Sequence, residues 1–424
     1  MITARAFAGK RYAVFGLART GLSVVRALKA SGAEVYAWDD NAAARAAIHD
    51  VEFIDLNTAS LLGFDALVVS PGVPLNTHPL AARARAAEVP IIGDIELFSQ
   101  ARAELPPHKV VGITGTNGKS TTTALIHHLI TAAGRPATLG GNIGLPILGQ
   151  DALPEGGTYV LELSSFQIDL TQTLDCDVAV LLNITPDHLD RYDGFAGYAA
   201  SKARLFDMQS PGHVAVVSTA TENSSRIGET TRRATFIAAT DIADQSAWPS
   251  LQGPHNAENV AAAAAAVRAL GLTDAEIEAG LRTYPGLPHR MERVAEKRGV
   301  LYVNDSKATN PTSTAPALAA FPAIHWIAGG RAKTDELDAC LPHLGHVRRA
   351  YTVGEAESLF ADILAPHVPV TRAGTIDNAV RLAADAAQAG EVVLLSPACA
   401  SYDQFKDFEA RGAAFRTAVG GLPQ

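Results

Sequence analysis

The chain has 424 residues, 47% hydrophobic and 19% charged, a balance that excludes an intrinsically disordered protein. Its length exceeds the roughly 250–300 residues at which a single core stops growing, so two or three domains are expected. A formal net charge of −9 argues against a nucleic-acid binder, because phosphate backbones select basic surfaces. The three cysteines, Cys176, Cys340 and Cys399, form no CxxC pair, and neither a signal peptide nor an 18-residue apolar run occurs, so we expect a cytoplasmic protein without disulfides.

The first α/β block, residues 1–94, opens with a predicted strand at Tyr12–Phe15 and closes near Ile91–Ile92. Residues 16–21, Gly-Leu-Ala-Arg-Thr-Gly, follow that first strand, and Asp39 ends the next strand. This arrangement imitates a dinucleotide-binding fingerprint. However, Ala18 stands where the middle glycine is needed for the close approach of a pyrophosphate, so the match is weak.

The second block, residues 95–288, contains the most informative motif of the chain. A predicted strand at Val110–Ile113 leads into Thr-Gly-Thr-Asn-Gly-Lys-Ser at 114–120, and a predicted helix at Thr121–Ala133 follows. Glycines allow backbone amides to face a phosphate, the helix N-terminus adds a positive dipole, Lys119 neutralises charge and Ser120 can ligate Mg²⁺. The strict Walker spacing requires glycine at Ile113, so this is a variant phosphate loop between Gly112 and Ser120.

Polar side chains follow the next two predicted strands of this block. Glu162 ends the strand 159–161, and a dense polar run that includes His188 follows the strand 178–182. Because strand ends of a parallel sheet hold ligands, Glu162 is a candidate magnesium ligand and His188 a candidate for metal or substrate phosphate. A predicted helix at 198–206 carries Lys202, which by its own pattern indicates a surface lysine.

The third block, residues 289–424, follows a predicted linker at 287–290. Its expected strands are 300–303, 324–327, 350–353 and 392–395. Lys333 comes shortly after Gly329 and Gly330, which places it at a strand exit. The predicted fold is therefore α/β with three domains: an N-terminal Rossmann-like domain, a central P-loop-type ATPase domain and a C-terminal Rossmann-like domain.

Five segments together resemble the Mur ligases, ATP-dependent enzymes that add amino acids in peptidoglycan synthesis: residues 114–120, 162–167, 183–192, 201–202 and 255–259. The similarity covers nearly the whole chain. The C-terminal segments 304–310 and 396–405 are similar to those of the branch that adds D-glutamate to UDP-N-acetylmuramoyl-L-alanine, and the Asp-Asn-Pro-Arg motif of the diaminopimelate branch is absent. This resemblance implies an acyl-phosphate and a tetrahedral intermediate, with release of ADP and phosphate.

The resemblance also implies a set of site residues. The catalytic set is Lys119, Glu162, His188 and Lys202. Two Mg²⁺ ions, or Mn²⁺ in their place, are implied near Ser120 and Glu162 and near His188 and Lys202, the lysine acting as a carbamate. Contacts to ATP are implied for Gly115, Thr116, Asn117, Gly118, Lys119, Ser120, Thr121, Asn256, Asn259, Arg290 and Asp305. The UDP-linked substrate is assigned to Gly16, Leu17, Ala18, Arg19, Thr20, Asp39, Ser70, Pro71, Gly72, Asn142 and His188. D-Glutamate is assigned to Lys307, Thr309, Lys333, Ser401 and Phe408.

Arg331 stands where relatives commonly carry aspartate, so contacts around that turn are less defined. The family further implies a monomer that binds neither nucleic acid nor membrane, with ATP between the second and third domains and closure of those domains around it.

Two other functions are compatible with parts of the sequence. A dinucleotide-dependent oxidoreductase would use residues 16–21 but leaves the Lys119 loop unexplained. A non-catalytic nucleotide switch would use that loop but leaves Glu162, His188 and Lys202 without a role. Phosphate release that requires both the UDP-linked substrate and D-glutamate distinguishes the ligase from both.

Overall fold

The structure, a computed structural model, describes residues 1–46 and 48–423, and these form three sheets. The chain divides into two compact units. The first contains Met1–Asp241 and Glu258–Leu281, and the second contains Ile242–Ala257 and Arg282–Gln424. The first unit carries two of the sheets and the second unit carries the third. The expected α/β class with three domains is confirmed, since the sheets are parallel apart from one edge strand.

The first sheet has the order β3-β2-β1-β4-β5, and all of its pairings are parallel. Its strands are β1 (Arg11–Phe15), β2 (Glu34–Trp38), β3 (Glu52–Phe53), β4 (Ala66–Val69) and β5 (Ile91–Ile92). Its helices are α1 (Arg19–Ala30), α2 (Ala42–Ala46), α3 (Pro79–Ala86) and α4 (Asp94–Ala101). The strand order reverses at β1, so the loop that follows β1 opens at the topological switch point, where ligands bind in such sheets.

The second sheet has the order β11-β10-β9-β6-β8-β7 and is also fully parallel. Its strands are β6 (His108–Thr114), β7 (Ala137–Gly141), β8 (Gly157–Glu162), β9 (Val178–Leu181), β10 (Val214–Ser218) and β11 (Ala234–Ile237). The accompanying helices are α5 (Lys119–Ala132), α6 (Ser165–Asp169), α7 (Gly194–Asp207), α8 (Glu222–Thr230), α9 (Pro254–Ala269) and α10 (Asp274–Thr283). β6 pairs with both β8 and β9, so the residues that follow these three strands meet at one edge.

The third sheet, in the second unit, has the order β12-β13-β17-β14-β15-β16. Its strands are β12 (Glu292–Lys297), β13 (Val300–Asn304), β14 (Ile324–Gly329), β15 (Val347–Val353), β16 (Val370–Gly374) and β17 (Val392–Leu395). Its helices are α11 (Pro311–Ala319), α12 (Glu357–Leu364), α13 (Ile376–Ala386) and α14 (Phe408–Gly420). The edge strand β12 pairs antiparallel with β13 and was not predicted from the sequence, because its alternating charged residues lack the apolar run of a buried strand.

Buried aliphatic residues form the cores against which these strands pack. The central strands are buried along their whole length, as in β9 and β17. Such continuous apolar runs are typical of parallel strands that are covered by helices on both faces. The polar residues of interest therefore lie where the central strands end, because β9 and β17 have no exposed residue along their length.

Candidate active site

The phosphate loop proper consists of the four residues Gly115–Gly118 between β6 and α5. Gly115 and Gly118 have φ angles of +147° and +85°, a region that side chains disfavour. A side chain at Gly118 would also collide with Asn259 Oδ1. The two glycines therefore let the loop curl over the start of α5, as an anion-binding nest requires.

Gly112 lies inside β6 and not in the loop, which corrects the range inferred from the sequence. A Cβ at this position would lie 2.7 Å from the Sγ of Cys176. This glycine is required by packing within the sheet and has no contact role with phosphate.

Asn183, two residues after β9, holds the loop in its curled conformation. Its backbone oxygen accepts from Thr116 N at 2.7 Å, and its Oδ1 accepts from Asn117 N at 2.9 Å. Its side-chain amide in turn donates to Glu258 at 3.3 Å. Sequence reasoning placed Asn183 in a polar run but gave it no role; its position two residues beyond a strand that neighbours β6 was the available signal.

Two lysines converge on one carbonyl of the loop. Lys119 Nζ donates to Gly115 O at 2.9 Å and to Thr116 O at 2.8 Å, and Lys202 Nζ donates to the same Gly115 O at 2.9 Å. Lys202 is 1% exposed, so its interpretation as a surface lysine was wrong. Burial, and then the charge of Lys119, hold the pKa of Lys202 well below its usual value.

Glu162 lies beside the loop at the end of β8 and is 2% exposed. Its Oε1 accepts from Asn142 Nδ2 at 2.9 Å, whereas Oε2 is buried and has no hydrogen-bond partner among the residues that the structure describes. A buried carboxylate oxygen without a donor is costly unless a cation or ligand satisfies it. Asn142, assigned by resemblance to the UDP-linked substrate, thus also orients this carboxylate.

His188 lies on the turn after β9 with a left-handed backbone, φ +51°. Its ring centroid is 4.9 Å from that of Phe166 and 6.5 Å from that of Tyr198. A histidine in this strained conformation is uncommon, and the aromatic neighbours fix its ring. Its ring Nε2 lies 3.6 Å from Asp187 Oδ2, and the side chain is about half exposed.

Arg191 connects this turn to the first domain, a role that the sequence did not suggest. Its guanidinium lies 4.1 Å from the Phe166 ring centroid and donates to Val73 O at 2.7 Å, with longer contacts to Pro71 O and Gly72 O. The turn that follows β4 is thereby held against the residues around His188. These contacts hold residues 71–73 through their backbone oxygens; Pro71 has no N–H, and Val73 N donates to Ser70 O at 3.0 Å.

In the first domain, the side-chain carboxylate of Asp39 accepts a hydrogen bond from the loop after β1. Leu17 N donates to Asp39 Oδ2 at 2.6 Å, and Ser70 Oγ donates to Gly16 O at 2.8 Å. Arg19 Nη2 donates to Gly144 O at 3.0 Å, close to Asn142 in sequence. Ala18 is the N-cap residue of α1, and Thr20 follows in its first turn.

In the second unit, Asp305 is the most perturbed acid of the predicted set. Burial raises its pKa to about 7, although Ser396 Oγ donates to its Oδ2 at 2.8 Å and Met291 N donates to its Oδ1 at 3.2 Å. Arg290 lies near enough to favour the ionised form. Asn256 is buried, and its side chain donates to Gln252 O at 3.0 Å.

The residues assigned to D-glutamate fall on loops at the carboxyl ends of β13, β14 and β17 and at the start of α14. Lys307 Nζ lies 3.8 Å from the ring centroid of Phe408, and Lys333 Nζ donates to Thr309 Oγ1 at 3.4 Å. Ser401 is 2% exposed. The Arg331 guanidinium donates two hydrogen bonds of 3.0 Å to the exposed carboxylate of Glu355.

Among the residues that the structure describes, no group of three or more His, Cys, Asp or Glu side chains could hold a metal ion. Mg²⁺ in nucleotide sites nevertheless binds through one or two carboxylates, substrate phosphates and water. The unpartnered Oε2 of Glu162, together with Ser120 at the start of α5, fits such a site. No helix in the described part of the chain is long and apolar enough to cross a lipid bilayer.

Comparison with known families shows that three segments of the chain match domains of one family, the Mur ligases. Residues 10–93 match the family described as "Mur ligase MurD-like, N-terminal domain", residues 113–248 match "Mur ligase middle domain", and residues 289–399 match "Mur ligase, glutamate ligase domain". Together the three matches cover most of the chain.

Relatives and solved structures agree with these matches. The chain is 61% identical to a protein of Novosphingobium aromaticivorans and 60% identical to one of Sphingopyxis alaskensis, both named "UDP-N-acetylmuramoylalanine--D-glutamate ligase". These alignments cover 100% of this chain and 97% and 100% of the relatives. Its fold is similar to that of MurF ligase from Thermotoga maritima in complex with ADP, with a TM-score of 0.64, 16% identity, and coverage of 97% of this chain and 95% of the other.

Proposed function

We propose, because the chain belongs to the Mur ligase family, that it is the ATP-dependent ligase that joins D-glutamate to UDP-N-acetylmuramoyl-L-alanine in peptidoglycan precursor synthesis. Two full-length relatives at 60% identity or more carry that name. The observation that supports the chemistry is that Lys119 and Lys202 both donate to one carbonyl of the phosphate loop. The unpartnered Oε2 of Glu162 lies at the end of the neighbouring strand.

Amide formation from a free carboxylate requires a better leaving group than oxide. ATP supplies one by phosphorylating the carboxylate of the L-alanyl group. The amine of D-glutamate attacks the resulting acyl phosphate, and phosphate leaves from the tetrahedral intermediate. Phosphoryl transfer of this kind depends mainly on positioning and on neutralisation of charge.

Lys119 and the loop amides supply positioning and charge in this proposal. In the structure Lys119 Nζ rests on Gly115 O and Thr116 O, so its charge is held within the loop. A phosphate above the loop would lie at the positive end of the α5 helix dipole. Because Asn183 fixes the amides of Thr116 and Asn117, the nest is preorganised and needs little rearrangement on binding.

Two metal sites belong to the proposal. At the first site, Ser120 and Oε2 of Glu162 would hold Mg²⁺ or Mn²⁺. At the second site, His188 and a carbamate on Lys202 would hold the other ion. Both ions would neutralise the charge of the phosphates. Lys202 is buried, and its lowered pKa favours the neutral amine, the form that reacts with carbon dioxide. As an amine it donates to Gly115 O and supplies no oxygen ligand.

The remaining assignments are proposals that follow family membership. The loop after β1, with Leu17 and Asp39, would receive the uridine end of the substrate, and residues 70–72 would approach its diphosphate. An aspartate on the loop amide suits hydroxyl or imide groups better than a second anion. Adenine and ribose would contact Asn256, Asn259, Arg290 and Asp305, and D-glutamate would contact Lys307, Thr309, Lys333, Ser401 and Phe408.

The decisive experiment offers the purified protein ATP, Mg²⁺ and the UDP-linked substrate with a panel of amino acids. We expect phosphate release and a new UDP-linked product with D-glutamate, and neither with L-lysine or diaminopimelate. Omitting the amino acid is the control. Sustained phosphate release without any amino acid, or a preference for L-lysine, would contradict the proposal.

A cytoplasmic location and a monomeric state complete the proposal. ATP and a UDP-linked precursor are intracellular substrates, and the three cysteines are free and buried. Size-exclusion chromatography coupled to light scattering tests the monomer; a stable dimer at micromolar concentration would contradict it.

A further inference from the structure

Arg411, in the first turn of α14, is a buried cation for which the assignments above provide no role. Its side chain is among the largest fully buried ones of the described chain, with a relative exposure of 1%. Burial lowers its pKa to about 10. A charged side chain is rarely buried unless its donors are satisfied and its position is required.

The Arg411 guanidinium donates hydrogen bonds to backbone and hydroxyl oxygens of two chain segments. Its Nε donates to Ser306 Oγ at 3.0 Å and its Nη2 donates to Ser306 O at 2.8 Å. Its Nη2 and Nη1 also donate to Cys399 O at 3.0 Å and to Ala400 O at 3.2 Å. These segments follow β13 and β17, which are neighbours in the third sheet.

A third segment, the one after β14, depends on the same group. Ala400 and Arg331 exchange backbone hydrogen bonds of 2.9 and 3.0 Å. A Cβ at Gly330 would collide with Ala400 O and would lie 3.0 Å from Arg411 Nη1, so the glycine lets this loop pack against both. The loop continues to Lys333.

Each segment that Arg411 holds leads within a few residues to a proposed D-glutamate contact. Ser306 precedes Lys307 and Thr309, Ala400 precedes Ser401, and the loop at Gly330 precedes Lys333. Ser306 Oγ also donates to Phe408 O at 2.9 Å, which ties in the start of α14. Arg411 thus contacts the segments after β13 and β17 directly and is joined to the one after β14 through Ala400, so it links the segments that carry all five proposed contacts.

Among the described residues, Arg411 forms no direct ion pair with a carboxylate. All of its hydrogen-bond acceptors are neutral oxygens, and Asp305 and Asp403 act on it only through their charge. A bound dicarboxylate would bring negative charge to the loops that this cation supports. In a low-dielectric environment this attraction extends beyond direct contact.

We propose that Arg411 is a positioning and specificity residue for the acidic amino-acid substrate: it assembles the loops after β13, β14 and β17 and supplies positive potential beneath them. The inference rests on the proposed function, since it concerns the D-glutamate site of that ligase. Lysine would replace arginine only in part, because one ammonium group lacks the planar guanidinium geometry that donates hydrogen bonds to both segments at once.

The test compares Arg411→Met and Arg411→Lys with the matched control Arg381→Met, which removes an exposed arginine from α13. For Arg411→Met we expect the KM for D-glutamate to rise roughly tenfold or more, from the loss of charge-assisted hydrogen bonds. The KM values for ATP and the UDP-linked substrate should stay within about twofold, and Arg411→Lys should fall between the wild type and Arg411→Met.

A D-glutamate KM within about twofold of the wild type, or a parallel rise of all three KM values, would overturn the inference. If Arg411→Met does not fold, as judged by circular dichroism and melting temperature, Arg411→Lys decides by the same criteria. Failure of the wild-type protein to use D-glutamate would instead contradict the proposed function, so the two failures are distinguishable.

Discussion

Two loops of the first unit share one plan and differ in charge. Both follow a parallel strand at a switch point and lead into a helix: Gly16–Ala18 between β1 and α1, and Gly115–Gly118 between β6 and α5. The first has three residues and its amide at Leu17 is taken by Asp39. The second has four residues, two left-handed glycines and two lysines on one carbonyl. The first loop therefore has a carboxylate on its amide, whereas the second brings the side chain of Lys119 to the start of a helix, the combination that suits a phosphate.

The largest expected effect comes from removing the cation that distinguishes the second loop. Lys119→Ala should reduce turnover by roughly 10³-fold or more, since charge neutralisation dominates phosphoryl transfer. Binding of the UDP-linked substrate, measured by calorimetry, should stay nearly intact because that substrate is assigned to the first loop. Lys29→Ala, at an exposed lysine of α1, is the control. Equal loss of turnover and of substrate binding would refute this division between the loops.

A second effect tests the carboxylate beside the phosphate loop. Glu162→Gln should lower kcat by about 10²-fold, because metal-assisted charge stabilisation amounts to several kcal/mol. The Mg²⁺ concentration for half-maximal activity should also rise, since the buried Oε2 is the proposed ligand. Glu155→Gln, at an exposed position, serves as the matched variant. An unchanged Mg²⁺ requirement would remove Glu162 from the metal site.

A smaller effect is expected in the first loop. Asp39→Asn should raise the KM for the UDP-linked substrate about tenfold while leaving that for ATP unchanged, since a hydrogen bond to a charged group contributes about 1.5–3 kcal/mol. Asp50→Asn, at an exposed site, is the comparison. If the Leu17 amide instead holds a phosphate of the substrate, removing the carboxylate would tighten binding, and a lower KM would reverse our assignment.

The smallest effect concerns backbone conformation alone. Gly134→Ala, at φ +75° with no atom within 4 Å of the added Cβ, should cost about 1 kcal/mol in free energy of unfolding. Gly118→Ala adds a collision with Asn259 to the same strain and should cost about 2 kcal/mol or more. Urea unfolding of both variants measures the difference. Equal costs would mean that Asn259 moves away without penalty and does not shape the loop.

The sequence alone determined the α/β class, the main strands and the phosphate loop, because these depend on local patterns. Strands such as β4 and β17 were predicted with the bounds that the structure has, since buried parallel strands are unbroken apolar runs. Glu162 was found at the end of such a run, and His188 was found in the dense polar segment that follows another. The family motifs then linked segments that local patterns could not connect.

Only the tertiary structure decided which side chains are buried and what they contact. Lys202 has the local pattern of a surface residue, but the packing of α7 places its amine on Gly115 O. Gly112 was assigned to the loop until its contact with Cys176 was known. The burial of Arg411 depends on contacts with segments about 11 and 105 residues away in the sequence. Burial and long-range contacts are properties of the whole chain, so no window of sequence contains them.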